Sequence, residues 1–568
     1  MRVVSARGEY DPEKKSFTIT YTIEEGPQYH FGKVDIQSNV KAVDPQSLRS
    51  KLRTDPGAIY NAEAVEKSIE YMSIDVAKRG YPFAVIKPRG ERDIATKTIN
   101  LVYVVEDGPR IYIERINVRG NTRTRDYVIR REFDIAEGDA YNRALIDRAE
   151  RRLKNLSFFK NVKITTEPGS APDRVVVNVD VEEQPTGEVS VAAGYSTADG
   201  IMGEFTIGDR NLLGGGQLAR ATILWGQRSR GLELTYVEPY FLGYRLAGGI
   251  SLFGRQTYAS NYYSYNSQSV GTNLSLGYAL SEELGFSVRY SIYQQKIELP
   301  YQLNNCIYSP NALQNSGPGV TTANEALQPG GGCYADGEAS LAVRKELSEG
   351  AKLVSLVGYG LSYNTLDNVR NPTSGLYAEF KQDVAGVGGD VNFIRTTAEA
   401  RAYHEIINDV VTVLRLQGGY LAGFGGKDLR MLDHFQMGPQ LVRGFAPAGF
   451  GPRDLTPGTS QDPLGGTMYW GASVEAQTPF YFLPKDSGVK GAVFADAGSL
   501  WGYKGPTSWN VTGETLNPAD SNKIRASVGV GLLWASPFGP IRFDFAFPVM
   551  KEDYDHVQQF RFSGGTRF

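Results

Sequence analysis

Cysteine, histidine and long apolar runs are all scarce in this 568-residue sequence, which has two cysteines and four histidines. Because no run reaches about 18 apolar residues, the sequence predicts no transmembrane helix. The formal net charge of −3 argues against a nucleic-acid-binding surface, which would need an excess of basic residues. No positively charged segment followed by an apolar stretch stands at the N-terminus, so no signal peptide is expected.

The few histidines also argue against catalysis. His30, His404, His434 and His556 are scattered along the chain, whereas a nucleophile needs a base held close to it. Neither a Gly-x-Ser-x-Gly elbow nor a His-Glu-x-x-His metal motif occurs. The glycine-rich stretch 214–216 precedes no helical pattern, which makes it a turn rather than a phosphate loop. We therefore expect no enzyme, no cofactor and no metal site.

Glycine and aromatic residues, in contrast, are plentiful: 64 Gly, 33 Tyr and 26 Phe. Glycine suits tight turns and bent strands, and tyrosine suits an interface between apolar and aqueous surroundings. The strands of a membrane β-barrel alternate between lipid and lumen, so each gives only a weak hydropathy signal. The mean hydropathy of −0.31 is therefore compatible with a barrel, and equally with a large soluble β-protein.

An internal repeat of about 80 residues occupies the first third of the chain. In each copy a short strand, a Gly-Tyr turn, a helical pattern and an alternating strand follow in the same order. The matching segments are 31–36 and 113–118, 57–60 and 138–141, 64–79 and 145–156, and 98–105 and 175–181. Similar tripeptides end the units at Pro27, Pro109 and Pro185. The order β-α-α-β-β predicts a small sheet with helices on one face.

These α+β units resemble POTRA domains. The resemblance gives a POTRA unit at 28–109 and a second at 110–185. Residues 1–27 are expected to be the C-terminal remnant of a further unit whose beginning is absent, as in a truncated chain. Two unrelated α+β domains are the alternative, but the matched Gly-Tyr and Gly-Pro positions argue against it.

From residue 186 onward the helical periodicity stops and short alternating segments continue to the end. Residues 186–568 provide for about sixteen strands at ~10 residues each plus connections. Short turns, such as 281–283 and 536–540, occur together with long loops at about 297–338 and 426–466, a combination typical of outer-membrane barrels. A soluble sandwich or propeller does not explain that pairing. We therefore predict an all-β transmembrane antiparallel barrel, closed because lipid cannot satisfy an open sheet edge.

Several motifs in this second part resemble those of the BamA family of outer-membrane assembly barrels. The most specific is Val442-Arg443-Gly444-Phe445, in a long loop. The others are Asp209–Gly214, Glu238–Phe241, Pro372–Gly375, Ser536–Arg542 and an aromatic-ended last strand containing Phe560, Phe562 and Phe568. The resemblance covers essentially the whole chain.

The motif predicts a loop that folds into the barrel. Gly444 allows a sharp backbone turn, and Phe445 can anchor in a pocket. A partly buried Arg443 would need carboxylate partners. The resemblance places Glu475 and Asp496 inside the barrel, facing this arginine; a solvated arginine is the alternative.

The resemblance implies that the chain folds and inserts β-barrel proteins into the Gram-negative outer membrane, with its POTRA units in the periplasm. It also implies a lateral seam between the first and last strands. The residues assigned to that seam are Val189, Val191, Phe560, Phe562, Gly564, Gly565 and Phe568. The partners implied are unfolded barrel clients, Bam-type lipoproteins, periplasmic chaperones and outer-membrane lipid. Glu137 matches a position implicated in lipoprotein contact. A TamA-like assembly module and a two-partner secretion transporter remain alternatives, and a passive porin fits the POTRA units poorly.

The only two cysteines, Cys306 and Cys333, lie in a long segment rich in proline and glycine. Such composition is typical of a loop rather than a strand. Because an envelope protein folds in an oxidising compartment, we predict a Cys306–Cys333 disulfide that closes an extracellular loop.

Overall fold

The computed structural model describes most of the chain. The residues outside the description are 1, 12–15, 25–26, 41–42, 80, 109, 198, 282, 301–302, 304–338, 369–370, 408, 457–458, 484–486, 510–513, 537–538 and 565–568. The chain divides into two compact units. Unit 1 comprises Met1–Thr186 and Leu213–Gly216, and unit 2 comprises Gly187–Leu212 and Gln217–Phe568. No helix among the described residues is both long and apolar enough to cross a lipid bilayer.

Unit 1 contains a hairpin followed by two α+β repeats. Its strands are β1 (Arg2–Asp11), β2 (Ser16–Glu24), β3 (His30–Ser38), β4 (Ala84–Asp93), β5 (Thr98–Asp107), β6 (Tyr112–Arg119), β7 (Phe159–Pro168) and β8 (Arg174–Glu183). Its helices are α1 (Ala62–Lys78), α2 (Asp126–Arg130) and α3 (Arg143–Asn155), together with the 3-10 helix Pro45–Lys51. After its first strand, the first repeat thus has a 3-10 helix where the second has α2.

Each repeat forms a three-stranded sheet of the same topology. The central strand, β5 or β8, is the last of its repeat in sequence; it is parallel to the first strand and antiparallel to the second. The long helix of each repeat starts at an asparagine cap: Asn61 accepts from the Glu63 amide and Asn142 from the Ala144 amide. Such caps satisfy amides that the first helical turn leaves unpaired. The helices cover the sheets and bury one apolar core per repeat.

Unit 2 is a closed antiparallel barrel of sixteen strands. The strands of this unit, including four two-residue strands in its loops, are β9 (Gly187–Ser196), β10 (Gly200–Leu212), β11 (Gln217–Gly226), β12 (Ser229–Glu238), β13 (Ala247–Thr257), β14 (Asn266–Ala279), β15 (Leu284–Glu298), β16 (Lys352–Asn364), β17 (Gly375–Ala385), β18 (Phe393–Ile407), β19 (Val410–Gly423), β20 (Arg453–Asp454), β21 (Met468–Pro479), β22 (Val489–Trp501), β23 (Ser508–Trp509), β24 (Glu514–Thr515), β25 (Pro518–Ala519), β26 (Arg525–Ser536), β27 (Gly539–Met550) and β28 (Phe560–Gly564). The loops also hold the helix α4 (Leu341–Glu349) and the 3-10 helices Phe241–Gly243 and Met431–Asp433.

Side chains alternate between the two faces of the barrel wall. On β27, Phe545, Phe547 and Val549 are exposed, whereas Asp544 and Ala546, at alternate positions, are buried. The period of two along a strand puts the first set on the outer surface and the second in the lumen. The barrel therefore has an apolar outer surface and a lumen that contains charged side chains, as lipid outside and water or polar loops inside require.

The connections differ in length at the two ends of the barrel. The two longest connections, residues 299–351 and 424–467, follow β15 and β19, and these two strands run in the same direction and finish at the same end of the barrel. The connections after β14 and β26 are four and two residues long and lie at the opposite end. The long loops are thus at one end, as predicted, although the two-residue connection after β11 also lies there.

Candidate functional site

Segment 424–467, here called the inward loop, carries Arg443 into a cluster of charged lumen residues. The Arg443 guanidinium donates from Nε and Nη2 to Asp496, each at 2.7 Å, and from Nη1 to Glu475. Its backbone amide also donates to Asp496 at 3.0 Å, and Ser473 accepts from Nη2 at 3.1 Å. The side chains of all three charged residues are largely buried. The structure thus brings together Arg443, Glu475 and Asp496, the three charged residues that the sequence analysis assigned to the lumen.

A second arginine completes the cluster. Arg542 of β27 donates to Glu475 at 2.8 Å and to Asp544 at 2.8 Å. This arginine lies in the motif Ser536–Arg542, from which no role for it was predicted. The alternation Ile541-Arg542-Phe543-Asp544 could have indicated that both charged residues face away from lipid. With two arginines and three carboxylates, the buried charges of the cluster are largely compensated, which a low-dielectric site requires.

Apolar contacts hold the motif in place around the charges. Val442 and Phe445 are fully buried and pack with Leu441, Phe450 and Leu500. The Phe445 and Phe450 rings meet edge to face, with centroids 5.2 Å apart. These contacts orient the loop so that its arginine reaches the barrel wall.

Two further features adapt the motif to the wall. The Arg443 guanidinium carbon lies 3.4 Å from the centroid of the Phe494 ring, so the ring covers one face of the cation. Gly444 has φ +91°, and a Cβ there would lie 3.2 Å from Ala546 and Pro548. Only glycine combines that backbone conformation with so close an approach to β27.

Within the described residues, which end at Gly564, the contact between the first and last strands is short. β28 pairs with β9 through two residue pairs, Ser563 with Ser196 and Gly564 with Tyr195. β9 pairs with β10 through ten. The Tyr195 and Phe562 rings lie 5.8 Å apart across the contact. Within the described part of the chain, β9 from Gly187 to Gly194 is therefore paired along one edge only.

The residues assigned to the seam lie in different environments. Phe562 and Gly564 contact β9 as expected, while Phe560 stacks on Phe545 of β27 at 4.8 Å. Val189 and Val191 are exposed on the outer surface and have their register partners on β10. Gly565 and Phe568 lie outside the described residues, as do the two cysteines, Cys306 and Cys333.

Glu137 lies in the second repeat of unit 1 and already has partners there. Its carboxylate accepts from the Ile116 amide at 3.0 Å and from Arg130 at 3.3 Å. The hydrogen bond from Ile116 is the main reason that the pKa of Glu137 lies below its usual range. About half of the side chain remains exposed, so these contacts leave one side open to solvent.

His434 lies in the inward loop, and both nitrogens of its ring are close to backbone groups. Nδ1 of the His434 ring lies 2.8 Å from the Arg430 carbonyl, and Nε2 accepts from the Lys504 amide. Among the residues that the structure describes, no group of three His, Cys, Asp or Glu side chains could hold a metal ion.

Comparison with known proteins agrees with this architecture. The Omp85 superfamily domain matches residues 211–568, and the POTRA model, described as a surface antigen variable number repeat, matches residues 29–108 and 111–184. A relative from Neorickettsia risticii, named outer membrane protein assembly factor BamA, is 29% identical over 96% of this chain and 67% of its own length. The protein of the same name from Neisseria meningitidis is 24% identical over 100% of this chain and 70% of its own length.

A solved structure has the same fold. It is BamA from Haemophilus ducreyi lacking POTRA domains 1–3, which aligns with a TM-score of 0.62 at 21% identity and covers 94% of this chain and 99% of its own. The superfamily match alone extends over well more than half of the 568 residues. The chain therefore belongs to the Omp85 superfamily.

Proposed function

We propose that this protein folds β-barrel proteins and inserts them into the outer membrane, with its repeats in the periplasm, and that it catalyses no covalent reaction. Two similar proteins are named outer membrane protein assembly factor BamA, and the chain spans about two thirds of their length. Its clients are then outer-membrane proteins. The free energy for insertion comes from the folding of the client, and the barrel lowers the barrier to that folding.

The observation that carries this proposal is the short contact between β28 and β9. An unpaired strand edge presents a row of amides and carbonyls that another strand can pair with. A client strand that adds to the open edge of β9 would have its backbone groups satisfied before it meets lipid, where each bare group costs several kcal/mol. Among the described residues, which end at Gly564, two residue pairs oppose such an opening, whereas ten hold β9 to β10.

The inward loop supports the same function by shaping the lumen next to this contact. Arg443 ties the loop to β21 through Glu475 and to β22 through Asp496. Arg542 of β27 shares Glu475 with it. A loop fixed in this way keeps the lumen side of the barrel in one arrangement while the seam opens.

The partners beyond the clients belong to this proposal as well. Bam-type lipoproteins would dock on the second repeat beside Glu137, whose carboxylate is half exposed and negatively charged. Periplasmic chaperones would deliver clients to the repeats. Outer-membrane lipid would contact the apolar outer surface of the barrel.

The test is a reversible lock of the seam. Ser196→Cys with Ser563→Cys places two cysteines at facing positions of β9 and β28. The control is Ser190→Cys with Thr206→Cys, which ties the register partners of β9 and β10. Cys306 and Cys333 are replaced by serine in both variants, so that no other thiol interferes. The full chain, including any segment that precedes it in the cell, replaces the native copy in cells depleted of it.

Oxidation of the seam pair is expected to stop the insertion of newly made outer-membrane proteins, and a reductant should restore it. The control pair should leave insertion unchanged, since no client strand enters between β9 and β10. Normal insertion with a fully formed seam disulfide would contradict the proposed function.

A further inference from the structure

The segment that precedes the last strand is hydrogen-bonded to the inward loop. The Gln558 amide donates to the Gly444 carbonyl at 2.9 Å, and the Ala446 amide donates to the His556 carbonyl at 2.9 Å. The His556 amide donates to the Gly449 carbonyl at 2.7 Å. Phe445 and Val557 form the antiparallel bridge between these contacts. The loop thus acts as a short neighbouring strand for residues 556–558.

A buried ion pair holds the same segment from another direction. Arg525, the first residue of β26, donates from Nε to Asp555 at 3.0 Å, and both side chains are fully buried. The Tyr554 hydroxyl accepts from Arg525 at 3.0 Å, and the Glu552 amide donates to Asp555 at 2.8 Å. Residues 552–558 are therefore fixed on two sides before the chain enters β28.

The last strand itself is held much more weakly. Over the described residues, β28 has five register pairs with β27 and two with β9. The N-terminal end of β28 is thus anchored by the inward loop and by Arg525, whereas its C-terminal part, as far as Gly564, has few contacts. A strand held in this way can pivot about its N-terminal end.

We propose that residues 444–449 and 556–558 form a clasp that positions the last strand and controls how often the seam opens. This proposal rests on the proposed function, because opening of the seam matters only if client strands enter there. Arg443 acts on the last strand through this clasp, as a positioning residue. Its amide and guanidinium are bound to Asp496, and the next residue, Gly444, supplies the carbonyl that holds Gln558. A movement of the arginine therefore moves the acceptor on which the last strand depends.

Gly449 offers a steric way to loosen the clasp. A Cβ at Gly449 would lie 2.6 Å from the His556 carbonyl oxygen and 2.6 Å from that of Ala446. Contacts under 3.0 Å with backbone atoms force the two segments apart. Gly426→Ala is the control in the same loop. Its φ of +73° makes alanine there strained, but a Cβ meets nothing within 4 Å, so this variant separates backbone strain in the loop from a clash with residue 556.

The experiment is amide hydrogen exchange of the purified full chain in detergent or lipid, read by mass spectrometry on peptides. Loss of one or two backbone hydrogen bonds in the clasp should raise the exchange rate of the seam amides about tenfold. The amides to follow are those of residues 195–197 and 562–564, where the Thr197 amide donates to the Phe562 carbonyl. Gly449→Ala should show this increase and Gly426→Ala should not.

A purely local role would raise exchange in residues 554–558 alone, and that result would overturn the proposal. If Gly449→Ala also raised exchange in β13 and β14, the whole barrel would be loosened, and a second variant would then decide. Ala446→Cys with His556→Cys, again with Cys306 and Cys333 replaced by serine, ties the clasp reversibly. Its oxidised form should slow exchange of the seam amides relative to the reduced form, and equal rates would overturn the proposal. Because this readout needs no client, failure of the seam lock would reject the proposed function while leaving the clasp intact.

Discussion

Replacement of Arg443 by alanine should show that Asp496 depends on this arginine more than Glu475 does. In Arg443→Ala, Asp496 would retain only the Ser473 hydroxyl at 2.7 Å and the amide of residue 443 at 3.0 Å. Its side chain is 2% exposed, so its charge would be buried without a cation. Glu475, in contrast, would still be paired with Arg542 at 2.8 Å. Breaking a buried ion pair in this way costs about 3–5 kcal/mol.

The matched comparison is Glu475→Gln. That change removes a charge from between two arginines, but Arg443 keeps Asp496 and Arg542 keeps Asp544. The glutamine is isosteric and can still accept a hydrogen bond, so the expected loss is smaller, about 1–3 kcal/mol. Adding Asp496→Asn to Arg443→Ala should recover about 2 kcal/mol, because the unpaired charge disappears.

The assay is urea unfolding of the purified full chain in detergent micelles, followed by tryptophan fluorescence. All five tryptophans lie after residue 186, so the signal reports on the barrel. Shifts of the midpoint at constant slope measure the change in stability. Equal losses for Arg443→Ala and Glu475→Gln would refute the reasoning. So would strict additivity of Arg443→Ala and Asp496→Asn, because coupled groups should not add.

The remaining predictions concern other parts of the chain. Alkylation of thiols in non-reduced protein should leave Cys306 and Cys333 unmodified if they form a disulfide; labelling of both would reject the bridge. Burial raises the pKa of Glu183, but hydrogen bonds from the segment 122–124 outweigh it and hold that pKa at about 2, so the second repeat should lose stability as pH falls from about 4.5 to about 2. Pepsin cleavage of that repeat in this pH range should be much less pH-dependent in Glu183→Gln, and an unchanged dependence would contradict the assignment. Glu137→Gln should reduce capture of a lipoprotein partner without unfolding the repeat, and unaltered capture would remove the assigned contact. Asp462 is buried and accepts four hydrogen bonds from three loop segments, so Asp462→Ala should speed protease cleavage of the loops in cells, and equal cleavage would count against this role.

Local patterns in the sequence were sufficient for the architecture. The repeat order in unit 1 follows from helical and alternating periodicity together with matched turn residues, and both are properties of short segments. The barrel follows from the continued alternation after residue 186 and from the need to close a sheet in lipid. The contacts of Arg443 with Glu475 and Asp496 were expected only because a family resemblance supplied the pairing of a loop with distant strands.

Only the tertiary structure determined the contacts that depend on the register between segments far apart in the sequence. Arg542 enters the cluster because β27 lies where its alternate residues face Glu475, and nothing near position 542 in the sequence specifies that partner. The two-pair contact of β28 with β9 and the clasp between residues 444–449 and 556–558 are likewise set by how the closed barrel aligns chain segments far apart. Alternation along a strand determines which face a side chain occupies, because it has a period of two. It does not determine the neighbouring strand, since many registers satisfy the same alternation until closure selects one.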